Sequence, residues 1–149
     1  MIKFVPDESK KEYEFAVSAC LCGVCCRYDG KQKCIPEIKK LYDDKRAIMV
    51  CPEVMGGMPV PREPSEIIGD RVINSSGEDN TGYFLRGAQE ALELCKKYNV
   101  KKAILKQNSP SCGTNHIYDG TFSGVLIDGM GVTARLFAEN GIEVTAEKD

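Results

Sequence analysis

Apolar residues recur along this chain with two different periods. Residues 15–19, Ala47–Val50 and 102–106 are short, nearly continuous apolar runs of the kind buried strands require, and each leads within a few positions to a cysteine: Cys20, Cys51 and Cys112. Between them the period lengthens. Residues 35–44 open at Pro36, where a helix's first turn tolerates a missing N–H, and residues 80–98 place Phe84, Ala88, Ala91, Leu92 and Cys95 at helical spacing. Asp79 or Asn80 can cap that longer helix, and Asn99 lies just past its end. A last helix is expected over residues 131–140, stopped by Gly141, before a final strand over 142–145.

Strands alternating with helices predict an α/β fold, a mainly parallel sheet with helices on both faces. In such open sheets the loops leaving the carboxyl ends of the strands border one crevice, where ligands bind. Cys20, Cys51 and Cys112 are therefore expected to converge despite their separation in sequence. Residues 1–149 are expected to form a single domain, because that length buries a core of its own and no linker, repeat or low-complexity tract divides it. The segment after Cys51 carries Pro52, Pro59, Pro61 and Pro64 around Gly56 and Gly57, which predicts a stiff wall without a helix.

A core of this size needs no disulfides, which leaves the 8 cysteines to be explained by chemistry. The charged opening residues lack a secretory apolar run, and no later stretch has the length of a membrane span, so a reducing, cytoplasmic setting is expected. There, many thiols mean metal binding or catalysis before disulfides. Cys95, on the apolar side of the long helix, and Cys34 read instead as small core residues. The formal net charge of −2, with Lys and Arg dispersed, favours a small substrate over a long nucleic acid. Oligomeric state leaves no mark in the sequence.

Three loops carry the candidate chemistry. SACLCGVCCRYDG holds Cys20, Cys22, Cys25 and Cys26, too close together for all four to ligate one ion with good angles. Asp29 in that loop is either a turn residue or a carboxylate facing the cleft beside Arg27. CPE places Glu53 two positions after Cys51, the best general acid or base in the chain. In SPSCG, Ser109 and Ser111 supply hydroxyls near Cys112 that can hydrogen-bond to sulfur or to a bound oxygen. His116, the single histidine, reads as a polar surface residue.

SACLCGVCCRYDG, CPEVMGGMPVPREP, GEDNT, LKQNSPSCG and IYDGTFSG, in this order, resemble the thiouracil desulfidase family. The resemblance implies a Rossmann-like domain holding a 4Fe-4S cluster by Cys20, Cys51 and Cys112, with one iron free of protein. It implies removal of sulfur from 2-thiouracil or a related thiolated uracil without net redox change, and a small-molecule substrate. It assigns Glu53 and Ser109 to the catalytic carboxylate and hydroxyl, Asp29 to a pocket carboxylate, and Cys26 to a recurrent position without a ligand role. Cys22 and Cys25 depart from the family pattern, and either thiol beside the cluster would close its open iron. Two rival readings stand beside this one. The first is a zinc-binding structural or interaction module with a closed Cys site, for which only Cys22 to Cys25 has the knuckle spacing. The second is a metal-free thiol redox enzyme.

Overall fold

The computed structural model describes Phe4 and residues 6–148, so part of the charged opening stretch lies outside the described residues. Four strands, β1 (Phe15–Ser18), β2 (Ala47–Val50), β5 (Lys102–Leu105) and β8 (Glu143–Ala146), form one parallel sheet in the order β2-β1-β5-β8. The expected strands are present, the last one residue later than predicted. Alternate residues serve opposite faces, as a pleated strand requires. Ala16, Ile48, Val50, Ala103 and Leu105 pack under α3 (Thr81–Lys97) and α4 (Val132–Glu139). Val17, Ala47, Met49 and Ile104 pack on the other face, where α1 (Pro36–Asp43) contributes Ile38. Helices thus cover both faces, as the alternation of elements predicts.

Local chemistry sets the helix ends. Asp79 caps α3 by accepting the Thr81 N–H at 2.9 Å, so of the two cap candidates it is the side chain of Asp79 that acts. Asn99, beyond its end, takes the left-handed conformation at φ 54° that stops a helix. Cys95 lies fully buried on α3 in the core, as its position on the apolar face predicts. Cys34 does not: it is exposed. Its neighbours Lys33 and Ile35 direct their N–H groups to the carbonyls of Cys20 and Leu21 at 2.9 Å each, and the residue between them is turned outward beside Gly23.

Three elements differ from the expected pattern. The wall after Cys51 begins with a short helix, α2 (Pro52–Met55), so Glu53 is carried by a helical first turn after all. Pro52 occupies its first position, where proline favours a helix rather than preventing one. Two antiparallel hairpins, β3 (Ser65–Ile68) with β4 (Arg71–Asn74) and β6 (His116–Tyr118) with β7 (Leu126–Asp128), stand apart from the main sheet. No described helix is long and apolar enough to cross a membrane.

Candidate active site

β1 is flanked by β2 on one side and β5 on the other. The chain leaves β1 for a strand on one side and later returns to the opposite side, which makes this the switch point where open α/β sheets bind ligands. All three cysteine loops leave from these neighbouring strands. Cys20 sits in a single 3-10 turn, Ala19–Cys22, directly after β1. Cys51 follows β2 as the residue that caps α2, and Cys112 follows β5 through the SPSCG loop. Together they line one cavity of about 410 Å³.

Each loop is tied down by its own hydrogen bonds. Ser18 Oγ accepts the N–H of Lys106 at 2.8 Å, joining the ends of β1 and β5, and its hydroxyl also bonds to the Cys112 sulfur. Ser109 Oγ accepts the N–H groups of Ser111 and Cys112 at 3.1 and 3.0 Å, folding SPSCG back on itself. The Ser111 hydroxyl pairs with Thr133 at 2.8 Å in the buried joint with α4. Cys51 Sγ lies 3.8 Å from the carbonyl oxygen of Cys26, and the Cys26 thiol hydrogen-bonds to the Cys51 sulfur.

Burial governs the thiols. Loss of hydration pushes Cys20 up to about 12, and it raises Cys112 as well, against the opposing hydrogen bond from Ser18. Cys51 moves the other way, chiefly because the Cys26 thiol bonds to its sulfur. Cys20 and Cys51 feel one another's charge, and Cys112 feels both. Among the described residues no three His, Cys, Asp or Glu side chains are arranged to hold a single metal ion. The geometry therefore lends nothing to the closed zinc site. Three soft sulfurs around a cavity suit a larger inorganic centre, whose size spreads its ligands further apart.

The polar groups sort themselves clearly. Glu53 and Ser109 line the cavity with the three cysteines. Glu53 Oε1 accepts Arg62 Nε at 3.0 Å, and the same guanidinium donates to the carbonyls of Pro59 and Cys26 at 3.0 Å each. Arg62 is almost wholly buried, with 4% of its side chain exposed, so its three partners fix the direction in which Glu53 points. Asp29 does not line the cavity: its carboxylate accepts the N–H of Lys31 at 3.0 Å in an exposed turn. Of the two readings of Asp29, this is the turn. His116 lies on β6, exposed, 3.3 Å from Asp128 and outside the lining.

Neither Cys22 nor Cys25 reaches the cavity, one being buried beneath its loop and the other exposed, and it is Cys26 that stands there as the fourth thiol. Arg62, Lys106, Glu66 and Ser18 also line the cavity without having been expected. The carboxylate of Glu147 lies 3.4 Å from the Lys106 ammonium and accepts the Gln107 N–H at 2.7 Å, which anchors the start of the third loop. For Arg62 the available signal was its place among prolines, where a charged residue held on a stiff path can be directed inward. The others carry no local mark.

This α/β chain belongs to the 2-thiouracil desulfurase family, whose sequence model matches its residues 15–149. The [4Fe-4S]-dependent thiouracil desulfidase TudS has a similar solved structure, with a TM-score of 0.88, 45% identity and 91% of each chain covered. A Bacillus subtilis (strain 168) relative, the uncharacterized protein YbbK, is 46% identical over 89% of this chain and 95% of its own.

Proposed function

We propose that this protein is a [4Fe-4S]-dependent, non-redox desulfidase that converts 2-thiouracil, or a related thiolated uracil, to uracil and sulfide. The observation that carries this reading is the meeting of Cys20, Cys51 and Cys112 with Glu53 and Ser109 in one cavity. Those three cysteines would hold the cluster, leaving one iron without a protein ligand. When bound, the cluster supplies a soft Lewis acid that draws electron density from a C–S bond.

The remaining chemistry falls to side chains. Glu53, aimed by Arg62, takes a proton from water as the water oxygen bonds to the ring carbon bearing sulfur. Ser109 already accepts two backbone N–H groups, so its own hydrogen is available to a substrate oxygen or nitrogen on which charge develops. As the C–S bond breaks, the two hydrogens of water pass to sulfur and the oxygen stays on the ring. Water and thiouracil thus become uracil and hydrogen sulfide, and no electron donor is needed.

Two variants test this after anaerobic cluster reconstitution. Cys51→Ala is expected to lose iron and turnover together, and full retention of both would remove Cys51 from the site. Glu53→Gln is expected to keep its iron while turnover falls by about 100-fold or more, the usual scale for a lost general base. Unchanged kinetics would eliminate Glu53 as the base.

A further inference from the structure

Glu66 is a carboxylate on β3 with 8% of its surface exposed, and it lines the same cavity as the three cysteines. Its Oε1 accepts the N–H of Gly120 at 2.9 Å and that of Phe122 at 3.2 Å. Both belong to the loop that joins β6 to β7. The loop is pressed onto β3: a Cβ on Gly120 would stand 2.9 Å from the Ile67 carbonyl oxygen and 3.0 Å from Ile68 Cγ1. Gly120 also has a φ of +92°, so no other residue fits there without strain.

Phe122 takes φ 57°, the left-handed region that an aromatic residue rarely enters. A residue so held needs a surrounding structure that over-determines it, and the Glu66 bond to its own N–H is part of that structure. The result is an apolar ring in the cavity wall with 38% of its surface left exposed. Glu53 and Ser109 supply polar groups for the edge of a ring; Tyr28 and Tyr118 also line the cavity, but Phe122 is the ring there whose own backbone N–H is held by a carboxylate of the wall.

We infer that Phe122 is the stacking surface for the flat face of the thiolated base, and that Glu66 is a positioning residue that holds the Phe122 loop in place. This inference rests on the desulfidase reading above. Their partners separate the two carboxylates: Glu66 Oε1 accepts two backbone amides of the Phe122 loop, whereas Glu53 Oε1 accepts Arg62.

The test uses reconstituted holoenzyme and 2-thiouracil. Phe122→Leu keeps an apolar side chain but removes the π-face, and KM should rise about tenfold, the scale of base–aromatic stacking, with kcat and iron content retained. Glu66→Ala should raise KM in the same way and speed hydrogen exchange at the amides of Gly120 and Phe122. Glu66→Gln keeps an acceptor oxygen and should restore both readouts. An unchanged KM in Phe122→Leu overturns the stacking role. A collapse of kcat in Glu66→Gln, with normal exchange at the two amides, overturns the positioning role and makes Glu66 a proton-transfer group. Absence of turnover in the wild-type holoenzyme strikes the desulfidase reading, and the stacking role falls with it. Exchange in the two Glu66 variants then still decides the clamp.

Discussion

Cys95 and Cys20 are both buried thiols, and their neighbours give them different fates. Cys95 faces only apolar side chains of the core, and burial alone pushes it up to about 12. Cys20 is raised to a similar value but shares its surroundings with Cys51 and the cationic Lys106. The Cys95 shift has a testable sign. The folded state keeps that proton up to about 12 while the unfolded chain releases it near 9.0. The associated stability is complete below pH 9 and is lost as pH rises from 9 toward 12. Urea unfolding of the cluster-free protein should show the wild type losing about 1.4 kcal/mol more per pH unit above 9 than Cys95→Ala. Parallel pH profiles would contradict the assignment.

At this same scale, sequence reading works where a residue's role is written in its immediate neighbours. The helical spacing around Cys95 announces a core position, and SPSCG announces a turn. Cys34 is the counterexample: KQKCIPEI has no periodicity that says which way the residue between Lys33 and Ile35 will turn. Only the pairing of that segment with Cys20 and Leu21 decides it. Glu66 and Lys106 are of the same kind. Nothing adjacent to them separates a cavity carboxylate or ammonium from a solvated one.

Among the elements, α2 shows best how packing makes use of a motif. Its four residues are too few for an apolar period to register, so the prolines and glycines around it read as loop. It is held instead by backbone contact with α3. A Cβ on Gly87 would come within 1.8 Å of the Pro52 carbonyl oxygen, and one on Gly56 within 2.1 Å of the Tyr83 carbonyl oxygen. In an open helix Gly→Ala would stabilise by about 1 kcal/mol. Here the clash wins. Gly87→Ala should destabilise by about 1–3 kcal/mol, the usual cost of overpacking, and should lower kcat because Pro52 moves and Glu53 moves with it. Urea midpoints and turnover measured together check this, and a more stable, fully active variant would refute the contact. The β3–β4 hairpin, by contrast, was open to reading: Gly69 and Asp70 between two apolar runs are a hairpin signal. The β6–β7 connection, residues 119–125, also carries turn signals, Asp119-Gly120 and Ser123-Gly124, but a connection of seven residues does not fix the register of the strands it joins.

For the molecule as a whole, the strand order β2-β1-β5 places three cysteine loops side by side at one edge of the sheet. Buried thiols that must give up protons to bind metal tie cluster affinity to folding and to pH. Reconstituted protein is therefore expected to melt several degrees above the cluster-free form, with iron and labile sulfide in equal amounts. Losing Cys20, Cys51 or Cys112 should abolish that gain, whereas Cys22→Ala, Cys25→Ala and Cys34→Ala should keep the iron. Equal melting temperatures with and without reconstitution would show that no centre binds there.

The amino-acid sequence alone determined the alternation of strands and helices and the placing of a cysteine just beyond each of three strands. Both are local matters: period, caps and turn residues act over a few neighbours, and the sheet's own geometry then brings strand ends together. Tertiary structure decided which of eight thiols face the cavity, that Cys26 rather than Cys22 or Cys25 stands fourth, and that Asp29 stays in its turn. It also gathered Arg27, Arg62 and Lys106 around one hollow from a chain whose charges look evenly spread. The direction of a side chain on an irregular loop depends on hydrogen bonds to residues far away in sequence, such as Arg62 to the Cys26 carbonyl or Glu66 to the Phe122 amide, and those partners meet only once the chain has folded.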